Sequence, residues 1–284
     1  MIRVGITGGG GLVGSRIVEI LKADENFDVN LILEQQMDIT NRESVFNTLK
    51  NLNFDVFLHL AAYTNVDKAE IEKEKVWKIN VEGTRNVFDA VNFMNKNFIY
   101  ISTDFVFDGK KQKTPFFEDS NPNPISYYGS TKYEGEKIVE GNGTIIRLSY
   151  PYRTKFDNKP DIVRNIKSLL EQGKSLSMVT DSLIVPTFID DIGYALREFL
   201  LAKKFKPEIF HIVGSQALSP YECGKIIAKA FGLDDSLIKA TTYEEYFKDK
   251  AKRPQFSDIK SRDNNFYKMG GFEEAISKFK DEFG

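Results

Sequence analysis

The 284-residue chain sets 39 Lys and Arg against 41 Asp and Glu, and a net charge of −2 argues against a broadly basic nucleic-acid face. A single cysteine, Cys223, excludes an intramolecular disulfide and a cysteine-rich metal site, and His59 and His211 are too few for a histidine-built zinc centre, so no metal is expected. No apolar run approaches the ~20 residues of a membrane span and no charged-then-apolar leader is present, so a soluble cytoplasmic protein without a membrane partner is expected.

The chain opens on an apolar strand over residues 2–6, followed by Thr7-Gly8-Gly9-Gly10-Gly11-Leu12-Val13-Gly14 and helical spacing over residues 15–22. Strand, glycine turn and helix N-terminus together suit a dinucleotide. Glycines 8, 11 and 14 remove each Cβ where a pyrophosphate approaches, and the helix end at Leu12 and Val13 offers N–H groups and a dipole. The competing use of such a turn is close strand–helix packing.

The second strand spans residues 29–33. Glu34, about 20 residues past the turn, stands where a carboxylate bonds the adenosine ribose and repels a 2′-phosphate, which leans toward NAD over NADP. A solvated loop charge is the alternative. Asp38-Ile39-Thr40-Asn41 reads as turn and cap of a helix ending at Leu49. Residues 55–62 form a buried strand ending in Ala61 and Ala62, small enough for a flat ring or ribose to approach; His59 within it reads as a satisfied core residue.

A long polar helical region follows over residues 66–79 and 81–93, with Glu70, Glu72, Lys73, Glu74 and Lys75 as a solvated face. Residues 98–103 form a strand ending in Ser102 and Thr103. Residues 107–123 read as a surface loop, helical spacing resumes at Tyr127, and residues 144–148 are a further strand. Beyond them lie helices at 161–172 and 190–202, a strand at 209–213, and helices at 220–231, where Cys223 packs, and 242–250. This alternation predicts an α/β fold with a Rossmann-type doubly wound parallel sheet. Residues 1–150 are assigned to a dinucleotide-binding domain and 151–284 mainly to a smaller C-terminal substrate-binding region, with residues 189–213 returning to the first.

Ligands of open parallel sheets bind outside the carboxyl ends of the strands, here Gly8–Gly14, Ala61-Ala62 and Ser102-Thr103. Tyr128 and Lys132 lie four apart on one helix face, and an ammonium beside a phenol lowers the phenol's pKa from about 10 toward usable acid–base range. Tyr133–Lys137, Tyr221–Lys225 and Tyr246–Lys250 share the spacing, but only Tyr128 follows a strand that ends in hydroxyls on the glycine-turn rim. Tyr127 has Thr131 at i+4 and hence no ammonium partner. Thr103 could bond a substrate carbonyl beside the phenol, and Lys132 could reach the nicotinamide ribose. A cofactor hydride plus a tyrosine proton is ketone reduction.

Thr7-Gly8-Gly9-x-Gly11-x-x-Gly14, the run from Ser102 to Gly109, and Tyr128-x-x-x-Lys132 resemble the extended short-chain dehydrogenase/reductases. With Ala61-Ala62-Tyr63-Thr64-Asn65-Val66-Asp67, Asn80-Val81-Glu82-Gly83-Thr84-Arg85-Asn86 and Arg253-Pro254, the chain more narrowly resembles the dTDP-4-dehydrorhamnose reductase family. The resemblance implies a Rossmann-type cofactor domain, a nucleotide-sugar substrate, NAD or NADP, and Thr103, Tyr128 and Lys132 as the catalytic set. It implies Asp38 and Ile39 near the adenine, Ala61, Ala62 and Tyr63 along the cofactor, and Asn80 supporting the active-site strand and its water. Asp104, Phe105, Tyr150 and Arg253 would face the substrate, the guanidinium being suited to a diphosphate.

The departures fall on the substrate side. Asp181-Ser182-Leu183-Ile184-Val185-Pro186-Thr187 stands where the family carries Asp-Gln-x-Gly-x-Pro-Thr, Tyr150 stands where tryptophan is common, and Arg153 replaces a usual glycine. The expected activity is NAD(P)H-dependent reduction of the 4-keto group of a nucleotide-linked deoxysugar, most simply dTDP-4-dehydrorhamnose. The alternatives are a non-catalytic regulatory subunit resembling the β subunit of methionine adenosyltransferase, and an epimerase or dehydratase of the same superfamily, the latter disfavoured by Phe105 where a glutamate follows the aspartate. Relatives that pair through helices flanking the sheet suggest a homodimer.

Overall fold

The computed structural model describes residues 1–203 and 205–283. In its first half, strands β1 (Ile2–Thr7), β2 (Phe27–Ile32), β3 (Val56–His59), β4 (Asn97–Thr103) and β5 (Thr144–Leu148) alternate with helices α1 (Leu12–Lys22), α2 (Arg42–Leu49), α3 (Val66–Ala69), α4 (Lys73–Trp77), α5 (Thr84–Phe93) and α6 (Tyr127–Val139). Then come β6 (Pro151–Tyr152), α7 (Ile162–Glu171), β7 (Leu176–Val179), β8 (Thr187–Phe188), α8 (Ile189–Leu201) and β9 (Ile209–His211). The chain continues through α9 (Pro220–Phe231), β10 (Ile238–Thr241), α10 (Tyr243–Phe247) and α11 (Phe272–Phe279).

Six strands make one parallel sheet in the order β2-β1-β3-β4-β5-β9. Side chains alternate across it. Ile99 and Ile101 of β4 join a core with Ile17 and Leu21 of α1 and Ile192, Leu196 and Phe199 of α8. Phe98 and Tyr100 join Val45, Leu49, Val87 and Val91 on the opposite face, under α2 and α5. Helices on both faces bury every central strand, which is why those strands read as continuous apolar runs. A third core gathers Tyr152, Val163, Ile166, Met178, Cys223, Ile227, Phe272 and Ile276 around α7, α9 and α11. No helix of the described residues is long and apolar enough to cross a membrane.

Several element boundaries differ from expectation. α1 begins at Leu12, not Ser15, because Gly11 already holds an extended N-cap conformation. The ladder of β3 stops at His59, leaving Leu60–Ala62 beyond the sheet. The long polar helix is broken into α3, α4, a π-helical turn at Lys78–Gly83, and α5. The expected surface loop is anchored: Phe107 and Phe116 are buried and stack at 4.4 Å, and Phe116 bridges to Ile259. Glu70 is no plain solvated charge, since its Oε1 accepts the Tyr127 backbone N–H at 2.8 Å at the start of α6.

One polar element lies deep in the fold. Arg147, midway along β5, pairs with Glu136 of α6 at 2.7 Å, both fully buried, and Arg147 Nη1 lies 3.4 Å from His211 Nε2 on β9. This pair fixes α6 to the sheet.

Candidate active site

A cavity of about 780 Å³ opens at the carboxyl ends of β1, β3 and β4. Strand order reverses at β1, between β2 and β3, which is where a parallel sheet leaves a crevice. At its near end lies the glycine turn. Gly8 has φ +71°, and a Cβ there would fall 2.5 Å from the Ala61 backbone nitrogen; one on Gly14 would fall 2.3 Å from the Gly8 carbonyl oxygen. These two glycines therefore close the turn on itself and on the exit of β3, rather than clearing space for a ligand. Gly10 is the position whose missing Cβ would meet nothing.

The residues present fit a dinucleotide. α1 starts with no side-chain cap and no acidic residue in its first turn, so the N-terminal N–H groups around Leu12 and Val13 keep their capacity for an anion at the cavity wall. Ser102 Oγ, on the same wall, is buried and has no hydrogen-bond partner among the described residues. Ile32, Leu33, Met37 and Ile39 form an apolar slot at one end, with Glu34 beside it. Glu34 sits in the turn beyond β2, exposed as well as lining the cavity. Asp38 does not line it: its Oδ1 accepts from the N–H and hydroxyl of Thr40 at 2.9 and 2.8 Å, building the turn.

Ala61 and Ala62 line the cavity, whereas Tyr63 does not; Thr64 and Val66 do. Asn80 is also behind the wall. From the π-helical turn its Oδ1 accepts the Tyr63 N–H at 2.8 Å, while Nδ2 donates to the Tyr63 carbonyl at 3.1 Å and to Thr131 Oγ1 at 3.0 Å. It thus locks the segment after β3 to α6. His59 is buried and bonded at both ring nitrogens, to Thr7 at 2.7 Å and Thr84 at 3.3 Å, and burial pulls its pKa to about 3, so it stays neutral.

Thr103, Tyr128 and Lys132 meet in this cavity. Ser126 caps α6 through the Gly129 N–H at 3.1 Å, which starts the helix so that Tyr128 and Lys132 face β4. The electrostatics differ from the expected ammonium–phenolate pair. Burial pushes the Tyr128 phenol up, the Thr103 hydroxyl lowering it and Asp104 raising it, so the phenol holds its proton at neutral pH. Burial pulls Lys132 down to about 7, against the Glu136 carboxylate, which raises it. Desolvation outweighs the pairing because Lys132 Nζ points into the sheet, donating to the Ile101 carbonyl at 2.8 Å. Tyr127 does have an ammonium neighbour: Lys73 of α4 lies 5.3 Å from its ring.

At the far end Asp104, Phe105 and Tyr150 line the cavity, and Phe107 lies in the core. Asp104 is buried. Its Oδ1 accepts from Thr103 at 3.1 Å, and its Oδ2 accepts from Ser149 at 3.0 Å and from Ser257. Burial raises its pKa to about 6 despite those hydroxyls. Tyr150 holds φ +38°, a rare conformation for a bulky residue, where the chain turns from β5 into β6. Arg253 does not line the cavity: its Nη2 pairs with Asp67 at 2.8 Å and its Nη1 donates to the Ala251 carbonyl at 2.9 Å.

The sequence reading gave no place to Lys159, Ser149 or Ser257, and quoted Thr64 only within a motif. Ser257 and Ser149 carry no local signal, being brought to Asp104 from distant segments. Lys159 does have one: Lys159-Pro160-Asp161 immediately precedes a helix, and Asp161 is its N-cap, accepting from Val163 and Arg164 N–H at 3.0 Å each. Arg153, at the position of the usual glycine, donates to Ser15 Oγ at 2.8 Å and pairs with Glu19, tying β6 to α1.

A family profile described as "RmlD substrate binding domain" matches residues 2–283. The spore coat polysaccharide biosynthesis protein SpsK of Bacillus subtilis is 30% identical over 92% of this chain and 90% of its own length. The dTDP-4-dehydrorhamnose reductase of Aggregatibacter actinomycetemcomitans is 29% identical over 89% of each chain. Among solved structures, dTDP-4-dehydrorhamnose reductase from Bacillus anthracis in complex with NADP superposes with a TM-score of 0.90 at 30% identity, covering 99% of this chain and 100% of that one. The fold, the cavity and these likenesses agree on an NAD(P)-dependent sugar-nucleotide reductase, and the chain belongs to the dTDP-4-dehydrorhamnose reductase family of extended short-chain dehydrogenase/reductases.

Proposed function

We propose that this enzyme reduces the 4-keto group of dTDP-4-dehydrorhamnose to give dTDP-rhamnose, with NADH preferred over NADPH. The observation that carries the reaction type is the meeting of Thr103, a protonated Tyr128 and a buried Lys132 in one cavity. When bound, the reduced nicotinamide supplies the hydride. When substrate binds, the Thr103 O–H turns from Asp104 Oδ1 to the substrate carbonyl, and Tyr128 delivers its phenolic proton to the same oxygen, so carbon gains hydride while oxygen gains the proton. A phenol held above its usual pKa by burial is in the form that a reduction requires. Lys132, once its amine turns from the Ile101 carbonyl, stabilises the tyrosinate left behind and bonds the cofactor ribose; Asp104 holds the Thr103 hydroxyl at the cavity wall until substrate arrives.

The preference for NADH rests on Glu34. Among the described residues the only basic side chains lining the cavity are Lys132 and Lys159, so no cation stands beside Glu34 to receive a 2′-phosphate. In this reading residues 1–150 and 189–213 hold the dinucleotide, and the remainder of 151–284 holds the sugar nucleotide.

The test is loss of NADH and NADPH absorbance with enzymatically generated dTDP-4-dehydrorhamnose, for wild type and Tyr128→Phe. Turnover that falls by about 100-fold or more in the variant, with cofactor affinity retained, supports the assignment. Cofactor binding without turnover by wild type would sink this substrate.

A further inference from the structure

The sequence points to Arg253 as the cation for the substrate diphosphate, and the structure commits that guanidinium to Asp67. Its charge still reaches Tyr150 of the lining, and the cavity wall itself carries a second cation. Lys159 lines it with Thr64, Tyr150 and Asp161, at the end opposite Glu34. Its Nζ donates to Thr64 Oγ1 at 3.0 Å across the mouth, and no carboxylate among the described residues pairs with it. Lys132, the other basic residue of the lining, is turned into the sheet.

The loop that carries Lys159 is built, not loose. Arg164 Nη2 donates to the Lys159 carbonyl at 2.6 Å, and its Nη1 donates to the Phe156 carbonyl. Arg164 is itself anchored by Asp161 Oδ2 at 2.8 Å, which also accepts the Arg153 N–H at 3.1 Å. This clamp fixes the backbone of residues 156–161, while the Lys159 side chain stands at the rim. The residue as a whole is exposed, yet surrounding protein lowers the pKa of its amine from 10.5. A cation part-way out of water with only a hydroxyl for company gains most from an anion.

Resting on the nucleotide-sugar reading above, we propose that Lys159 is the specificity residue for the substrate diphosphate, bridging it to Thr64 and closing the sugar end of the cavity. The dinucleotide's own diphosphate is served at the other end by the backbone N–H groups of α1, so the two phosphate sites are separate.

Isothermal titration of wild type, Lys159→Met and Lys159→Arg with thymidine diphosphate, uridine diphosphate and NADH tests this. The expected result is about tenfold weaker binding of thymidine diphosphate to Lys159→Met, retention within about threefold in Lys159→Arg, and NADH affinity unchanged in both. Loss of NADH affinity with thymidine diphosphate unaffected assigns the amine to the cofactor and overturns the proposal, as does no change with any ligand. Wild type that binds uridine but not thymidine diphosphate overturns the thymidine-linked substrate, while the loss on Lys159→Met is then read with uridine diphosphate. Wild type that binds NADH and neither nucleoside diphosphate overturns both readings.

Discussion

Lys132 Nζ stands 4.1 Å from the centroid of the Tyr100 ring and donates to the Ile101 carbonyl, so the strand under α6, not the phenol one turn away, holds the amine. Burial in this setting depresses its pKa from 10.5 to about 7. The unfolded chain therefore binds more protons than the folded chain between about pH 7 and 10.5, and wild-type stability rises with pH across that window. Lys132→Met removes the desolvation cost while keeping an unbranched side chain one atom shorter. Urea unfolding should find the variant about 2–3 kcal/mol more stable than wild type at pH 7, with the gap narrowing toward pH 10, and turnover lost. Equal stabilities at every pH would refute the burial argument.

Asp104 gives the opposite slope. Its folded-state pKa is raised from 3.8 to about 6, so the stability it permits is fully present below about pH 4 and is lost as pH rises through 6. Asp104→Asn keeps an acceptor for Thr103, Ser149 or Ser257 and cannot ionise. The variant should lack the fall of about 2–3 kcal/mol that wild type shows between pH 4.5 and 7 in denaturant titrations. Its turnover should fall about tenfold as Thr103 loses a charged partner. Parallel stability profiles would show that the carboxyl is already ionised at pH 4.5.

The Arg147–Glu136 pair carries a different expectation. Arg147→Met leaves Glu136 as a buried, unpaired carboxylate and should cost about 3–5 kcal/mol, whereas Arg147→Met with Glu136→Leu should recover most of it. The informative reading is the KM-against-kcat split of the double variant. If the pair only stabilises, both constants are unchanged; if it sets the rotation of α6, kcat falls with KM constant. Thermal melts and steady-state kinetics of the two variants decide this.

Most of the parallel-sheet fold was legible in the chain itself. Strands such as residues 144–148 are apolar throughout because both sheet faces are covered, and the glycine cluster falls between such a strand and a helix. The Tyr128–Lys132 spacing, chosen because that tyrosine follows a strand ending in Ser102 and Thr103, belongs to a pair that lines the cavity with those two hydroxyls. What stayed hidden depends on distance. Asp104 meets Ser257, 153 residues away, and no periodicity connects them. The sign of the Tyr128 shift was hidden as well: spacing places an ammonium nearby but says nothing of the desolvation that dominates when both groups are buried. The Asp67 partner of Arg253 was hidden too, because a guanidinium's suitability for phosphate is equally a suitability for a carboxylate 186 residues away. The long polar helix breaks at residues 70–72, where Glu72 leaves helical geometry, and the π-helical turn that aims Asn80 at Tyr63 is a change of winding within the continuous helix that follows; neither has a sequence signature.

β9 pairs with β5 although 64 residues separate Arg147 from His211, and α8, which packs on α1, is made in between. During synthesis the glycine turn and α6 therefore leave the ribosome while β5 is still an open edge. Unpaired edges invite pairing with another chain. The nascent chain carries this hazard until His211 has emerged from the exit tunnel, so a translational pause before that point would expose an unpaired edge, whereas a pause after it would not. Codon choice and chaperone capture over that interval become part of how this enzyme reaches its working form.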